Sequence, residues 1–229
     1  MTKENEKYIP EVKSILKSRI IEVPKAIYKA SGITIFGTRI KSLIFSTDVA
    51  IINNNNAGSI IAVYPFTPQL SIIHSILEVA SVPVFVGVGG GVTGGPRAIN
   101  IALQAELMGV YGVVVNSPTK NELIKEMKEI LDIPIIATVG SIYDDYHGKI
   151  EAGARILNVS GGINTISLVK EIRNEYGKEF PIIATGGPTE ESILATIDAG
   201  ANAITYTPPS TAEIFTEVMK GYRKQKRDS

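Results

Sequence analysis

The sequence predicts a (β/α)8 barrel forming a single domain, and two observations carry that expectation. Beyond residue 31, short β-rich apolar runs alternate with longer stretches of helical period, the pattern of repeated βα units. The units also resemble one another. Ile133-Pro-Ile-Ile-Ala-Thr-Val-Gly140 recurs as Phe180-Pro-Ile-Ile-Ala-Thr-Gly-Gly187, and Ala152-Gly-Ala154 recurs as Ala199-Gly-Ala201, 47 residues apart in both cases. Two βα units make one repeat, so four repeats make eight strands.

Residues 1–31 read as an N-terminal extension with a capping helix around 9–19. The first strand is expected at 32–37, where Gly32-Ile-Thr-Ile-Phe-Gly37 is a worn copy of the repeat, and the second at 49–53. The run Ser59-Ile-Ile-Ala-Val-Tyr64 follows only about ten residues later, too few for the crossover helix that parallel neighbours require. Residues 54–68 are therefore read as an insertion after the second strand, at the mouth of the barrel. There they would bring Tyr64 or Phe66 over a ligand, or form an extra strand or an apolar cap. The remaining strands are expected at 83–88, 112–116, 134–139, 155–160, 181–186 and 203–207. Ile72, Ile73, Ile76 and Leu77, and likewise Leu123, Ile124, Met127 and Ile130, give single apolar stripes at helical spacing. His74 falls within the first stripe as an ordinary helix residue. The basic run 220–229 reads as a solvated tail.

A chain of 229 residues, 44% hydrophobic and 20% charged, is long enough for one large core. Its 23 basic and 23 acidic residues cancel, so no global field would attract nucleic acid or an anionic membrane. The absence of cysteine removes disulfides and thiolate chemistry. No apolar run is long enough to span a bilayer, and the polar first eight residues carry no leader-like core, so a cytoplasmic protein is expected. Oligomeric state is not written in the sequence, although barrels of this kind often pair into homo-oligomers.

In such a barrel the loops that follow the strands carry function. The strongest signal ends the seventh predicted strand, where Thr185-Gly186-Gly187 precedes the helix start Pro188-Thr-Glu-Glu-Ser192. Glycines let bare backbone N–H groups approach an anion, and a helix start adds partial positive charge. After the eighth strand comes Thr205-Tyr-Thr-Pro-Pro-Ser-Thr211. These segments resemble the phosphate-binding aldolase-type barrels, which include ribulose-phosphate-binding enzymes, sugar-phosphate epimerases and deoxyribose-phosphate or keto-acid-phosphate aldolases. The resemblance is best over the third to eighth strands. It implies a phosphorylated small-molecule ligand held by Gly186, Gly187 and the vicinity of Thr207, with Gly161 and Gly162 beside them. Pro208 and Pro209 lack an N–H, so Ser210 and Thr211 would have to supply the contact there. The plainer account of Gly186 and Gly187 is a tight strand-to-helix turn.

The segment Ala152-Gly-Ala-Arg-Ile-Leu-Asn-Val-Ser-Gly-Gly162 resembles the deoxyribose-phosphate aldolase strand whose lysine forms an imine. Asn158 stands at that position, and an amide cannot form a Schiff base. The expected lining is neutral and polar: Asn53, Asn116, Ser117, Thr138, Ser141, Asn158, Ser160 and Thr185. For proton transfer the best candidates are Asp144, Asp145 and His147 after the fifth strand, although the two aspartates would equally favour the positive end of a helix. Arg39 and Arg97 are candidates for a second anionic group, or are surface charges. Gly89-Gly-Gly-Val-Thr-Gly94 fits the glycine spacing of dinucleotide folds, but the next strand ends in Asn116 where a ribose-binding acid is expected. It is read as an amide-rich rim. With two histidines and no His–carboxylate spacing on one element, no metal site is expected. The functional expectation is an enzyme acting on a phosphorylated sugar or keto acid by epimerisation, carbon–carbon cleavage or hydrolysis, without a cofactor. The alternatives are a barrel oxidoreductase that binds flavin mononucleotide (FMN), and a non-catalytic barrel that binds a phosphorylated ligand.

Overall fold

The β-branched runs close into a ring of eight parallel strands, seen in a computed structural model that describes residues 10, 12, 14, 15 and 19–228. The ring is β3 (Ser42–Phe45), β4 (Ser59–Ala62), β5 (Val84–Gly89), β6 (Gly112–Val115), β7 (Ile135–Val139), β8 (Ile156–Val159), β9 (Ile182–Thr185) and β10 (Ala203–Tyr206). Pairing of Ile204 with Ser42 closes it. A separate antiparallel hairpin, β1 (Ile33–Ile35) and β2 (Thr38–Ile40), precedes it. The helices are α1 (Val49–Asn53), α2 (Leu70–Val79), α3 (Gly95–Leu107), α4 (Asn121–Ile130), α5 (Tyr146–Ala152), α6 (Thr165–Tyr176), α7 (Glu190–Asp198) and α8 (Thr211–Asp228). Among the described residues no helix is long and apolar enough to cross a membrane.

Six of the eight expected strands stand where the repeat places them, and the first two do not. The segment 32–37 is part of the hairpin, turned at Phe36 and Gly37, both at positive φ. The segment 49–53 is helix α1, because the Asp48 side chain accepts the N–H groups of Ala50 (2.9 Å) and Ile51 (3.4 Å) and caps a helix start. Its β-branched residues pack just as well on a helix face, and Ile51 and Ile52 are buried. The first barrel strand is Ser42–Phe45. Residues 46–58 then give a crossover of the required dozen or so residues, and Ser59–Ala62 is the second barrel strand with all four residues buried. The insertion read at 54–68 is thus half barrel, and only residues 63–68 lie at the mouth. The capping helix expected at 9–19 lies outside the described residues apart from single positions. The basic run continues α8 to residue 228 and is exposed over residues 220–226.

Alternation along the strands divides the core in two. Leu43, Ile61, Phe85, Val114, Ile136, Ile156, Ile183 and Ala203, one from each strand, fill the lower interior. Ile33, Ile35 and Ile40 of the hairpin join this cluster and plug the N-terminal end of the barrel. Burying each of the larger side chains, Ala203 apart, contributes roughly 1.5–3 kcal/mol. The opposite strand faces meet the helices through Ile73, Ile76, Ile124 and Met127, as their stripes predict, whereas Ile130 at the end of α4 is exposed. His74 sits exposed on α2 beside Glu78.

Candidate functional site

At the C-terminal end of the ring the inward positions change character. On β6 to β10 they are Asn116, Thr138, Asn158, Thr185 and Thr205, five neutral polar groups on five adjacent strands. Strands β3 to β5 contribute Phe45, Val63 and Gly87 instead. Ser160, one step above Asn158, receives a hydrogen bond from the Thr185 hydroxyl at 3.1 Å, which ties the ends of β8 and β9 together. The Asn158 Oδ1 and the Thr205 hydroxyl are buried without a partner among the described residues.

Two glycine pairs crown this arc. Gly161 and Gly162 follow β8, and Gly186 and Gly187 follow β9. A Cβ at Gly186 would stand 2.7 Å from Ile204 and 2.8 Å from Ile193, so the strand end must be bare. Gly187 adopts φ +76°, a left-handed conformation that glycine enters at little cost. Helix α7 then begins in a reciprocal cap between Thr189 and Ser192. After β10 the picture differs. Ser210 donates both its N–H and its hydroxyl to Glu213 Oε2, at 2.7 Å each, so these donors are already engaged. Those bonds hold the Glu213 carboxyl below its usual range. Thr207 is exposed beside them.

Across the mouth, Val63, Tyr64, Phe66, Gly87, Gly89 and Asn116 are among the residues that line a cavity of about 200 Å3. The Tyr64 hydroxyl accepts the Gln69 N–H, and the Thr93 and Thr67 hydroxyls are bonded at 3.2 Å, joining the loops after β4 and β5. The Gly89–Gly94 loop forms this rim.

The other predicted residues disperse. Asp144 Oδ2 accepts from the Gly140 N–H (2.7 Å), the Ser141 N–H (3.1 Å) and the Ser117 hydroxyl (2.7 Å), which ties the loops after β6 and β7. Lys149 is buried nearby and donates to the carbonyls of Ser117 (2.8 Å) and Thr119 (3.0 Å). Asp145 caps α5 through the Gly148 N–H and also accepts from Asn121, both at 2.8 Å; these bonds, the Gly148 bond first, lower its pKa. His147 lies on the outer layer, where its Nδ1 is 2.8 Å from the Tyr176 hydroxyl and 3.2 Å from Glu175. Those partners end α6, at the opposite end of the barrel from the mouth. The neighbouring Tyr146 phenol is raised well above its ordinary range by burial, and further by Glu171 and Glu175. Asn53 ends the outer helix α1, and Arg39 sits on the hairpin with its guanidinium on the Ser31 carbonyl at 2.7 Å, so neither reaches the mouth. Both had been placed by the misassigned first two strands. Arg97 is exposed in the first turn of α3. Sequence reasoning missed Thr205 as a lining group and the structural role of Lys149, which it kept open only as a base. The strand alternation that brings Thr185 inward also brings Thr205 inward, so the first was readable.

Asp145→Ala should lower stability by about 1 kcal/mol at neutral pH through loss of the cap. The lowered folded pKa means this contribution is present above the ordinary aspartate range and is lost as pH falls through the folded value. Urea unfolding of both proteins at pH 7 and pH 3 should therefore give a gap that narrows in acid.

No family model and no curated protein sequence matches the chain. Solved structures do share its architecture. Phosphonopyruvate hydrolase in complex with oxalate and magnesium aligns at TM-score 0.62 and 13% identity, covering 89% of this chain and 85% of the other. Mandelate oxidase with 3,3-difluoro-2-hydroxy-3-phenylpropionic acid aligns at 0.61 and 13%, covering 78% and 68%. Inosine 5'-monophosphate dehydrogenase from Legionella pneumophila aligns at 0.57 and 15%, covering 79% and 66%. These likenesses show the fold, a (β/α)8 barrel. Among the described residues no three His, Asp or Glu side chains are grouped to hold a metal ion.

Proposed function

We propose that the mouth binds and transforms a small phosphorylated metabolite, with its phosphate against the turns Gly161-Gly162 and Gly186-Gly187. One observation carries this reading: the two glycine pairs end adjacent strands and are drawn together by the bond between Thr185 and Ser160. The Gly186 N–H donates to the Thr205 carbonyl at 3.4 Å, so the dianion would rest on the neighbouring amides of Gly161, Gly162 and Gly187, a setting that needs no cation. The Ser210 and Thr207 side, with its donors on Glu213, is the weaker part of the cradle. The bonded positions of Asp144, Asp145 and His147 leave the neutral arc, with Asn158 at its centre, as the group nearest a ligand. The chemistry would be isomerisation, carbon–carbon cleavage or hydrolysis.

The test uses charge at constant shape. Gly162 has φ +59° and no atom within 4 Å of a built Cβ, so the space there accepts a side chain, and Asn and Asp tolerate that conformation better than other residues. Gly162→Asp should weaken inorganic phosphate binding at least tenfold by calorimetric titration, and Gly162→Asn by no more than about threefold, since only the first adds a repelling charge. Equal effects, or no phosphate binding by the wild type, would remove the reading. The apolar side of the mouth, with Val63, Gly87, Tyr64 and Phe66, favours a second reading. There the glycine turns hold the phosphate of FMN, which supplies hydride and electron transfer when bound. Visible flavin absorbance in the purified protein, or its gain on adding FMN, separates the two.

A further inference from the structure

We infer that Asn158 and Thr205 form a subsite for an uncharged hydroxyl group, so that the ligand of the mouth is a phosphorylated polyol or sugar in preference to a phosphorylated carboxylic acid. The inference rests on the phosphate reading above and names the other end of the same ligand.

Thr205 is only 7% exposed and its hydroxyl has no partner among the described residues, nor has the Asn158 Oδ1. Both stand on inward positions. Thr205 pairs in register with Thr185, whose hydroxyl reaches Ser160 at the foot of the glycine turns. Asn158 pairs with Thr138 on the other side. The two orphaned groups thus lie on the arc directly below the cradle. A buried polar atom without a partner costs free energy that a ligand can recover by supplying one. The orphan on Asn158 is an acceptor, which requires a donor; a hydroxyl provides it and a carboxylate does not. The inward positions of β6 to β10 carry no charged side chain. A carboxylate brought there would lose its hydration without gaining a cation. Hydroxyls lose little by the same move, because each can both donate and accept.

Calorimetric titrations of the full chain with three probes test this: inorganic phosphate, glycerol 3-phosphate and 3-phosphoglycerate. The last two differ at one end, a hydroxymethyl in one and a carboxylate in the other. Glycerol 3-phosphate should bind at least tenfold more tightly than 3-phosphoglycerate. Thr205→Val and Asn158→Leu should each weaken glycerol 3-phosphate about five- to tenfold, the range of one lost hydrogen bond, and leave inorganic phosphate within twofold. Thr205→Val is close in shape and removes an unsatisfied group, so its unfolding midpoint should be unchanged or higher, which separates lost recognition from lost folding. Equal or tighter binding of 3-phosphoglycerate, or undiminished glycerol 3-phosphate binding by Thr205→Val, overturns the subsite while the phosphate cradle stands. If inorganic phosphate itself fails to bind, the cradle falls and the subsite with it.

Discussion

Gly90→Ala is expected to lower the unfolding free energy by about 2–6 kcal/mol, the sum of a strained backbone and an overpacked contact. Gly90 follows β5 at φ +115°, and a Cβ there would stand 1.7 Å from the Thr119 hydroxyl and 3.0 Å from the Asn116 nitrogen. Thr119 has little room to withdraw. It is 5% exposed, its N–H is bonded to the Asn116 carbonyl, and its own carbonyl accepts from Lys149. The adjacent Gly91 has open space and no left-handed φ, so Gly91→Ala should stay within about 0.5 kcal/mol of the wild type. Urea unfolding of the two variants reads the difference directly. Adding Thr119→Ala to Gly90→Ala should recover the steric part and leave the backbone part. Equal stability of the two alanine variants would mean that the glycine rim is not packed against the β6 loop.

That rim illustrates what was legible in the chain and what was not. The glycines after β5, β8 and β9 stand out in a string of residues, but their reasons differ. Gly90 is forced by Thr119, Gly186 by Ile204 and Ile193, and Gly162 by conformation alone. Six barrel strands were readable, and the last four, β7 to β10, doubly so because a 47-residue repeat carries each signal twice. The first two were not, because Val49-Ala-Ile-Ile52 carries a strand-like composition and only the cap made by Asp48 decides for helix. That reading puts at the mouth Asn53, which ends an outer helix, and Arg39, which lies on the N-terminal hairpin. Asn116, Thr138, Ser160 and Thr185 were readable because the last inward residue of a barrel strand faces the mouth by geometry. Asp144, Asp145 and His147 were chosen for their chemistry, and that choice contains nothing about which way a loop turns. In the fold each is bonded to the protein itself: a loop tie, a helix cap and a contact between α5 and α6.

The second large effect is expected at Lys149, which no motif singles out. Lys149→Met should cost about 2–4 kcal/mol, because it strands the carbonyls of Ser117 and Thr119 and removes a cation favoured by both Asp144 and Asp145. Methionine matches the length of the stem, so little of the loss comes from packing. Burial lowers the lysine pKa below its ordinary value of 10.5, an effect that Asp144 and Asp145 oppose without cancelling. Between the lowered folded value and 10.5 the unfolded chain holds a proton that the folded chain has released, so the Lys149 contribution to stability rises with pH across that window. The gap between wild type and Lys149→Met, measured by urea unfolding at pH 7 and again near pH 10, should therefore widen in alkali. The same ammonium also sets where Asn116 stands, because the two carbonyls it holds belong to the loop that carries that side chain to the rim. Loss of Lys149 should therefore weaken ligand binding at the mouth even where the barrel remains folded, and Lys149→Arg should not rescue it, since a planar guanidinium does not fit a site built around a compact ammonium. A variant that unfolds like the wild type at both pH values would mean that the loops after β6 and β7 are held by Asp144 alone.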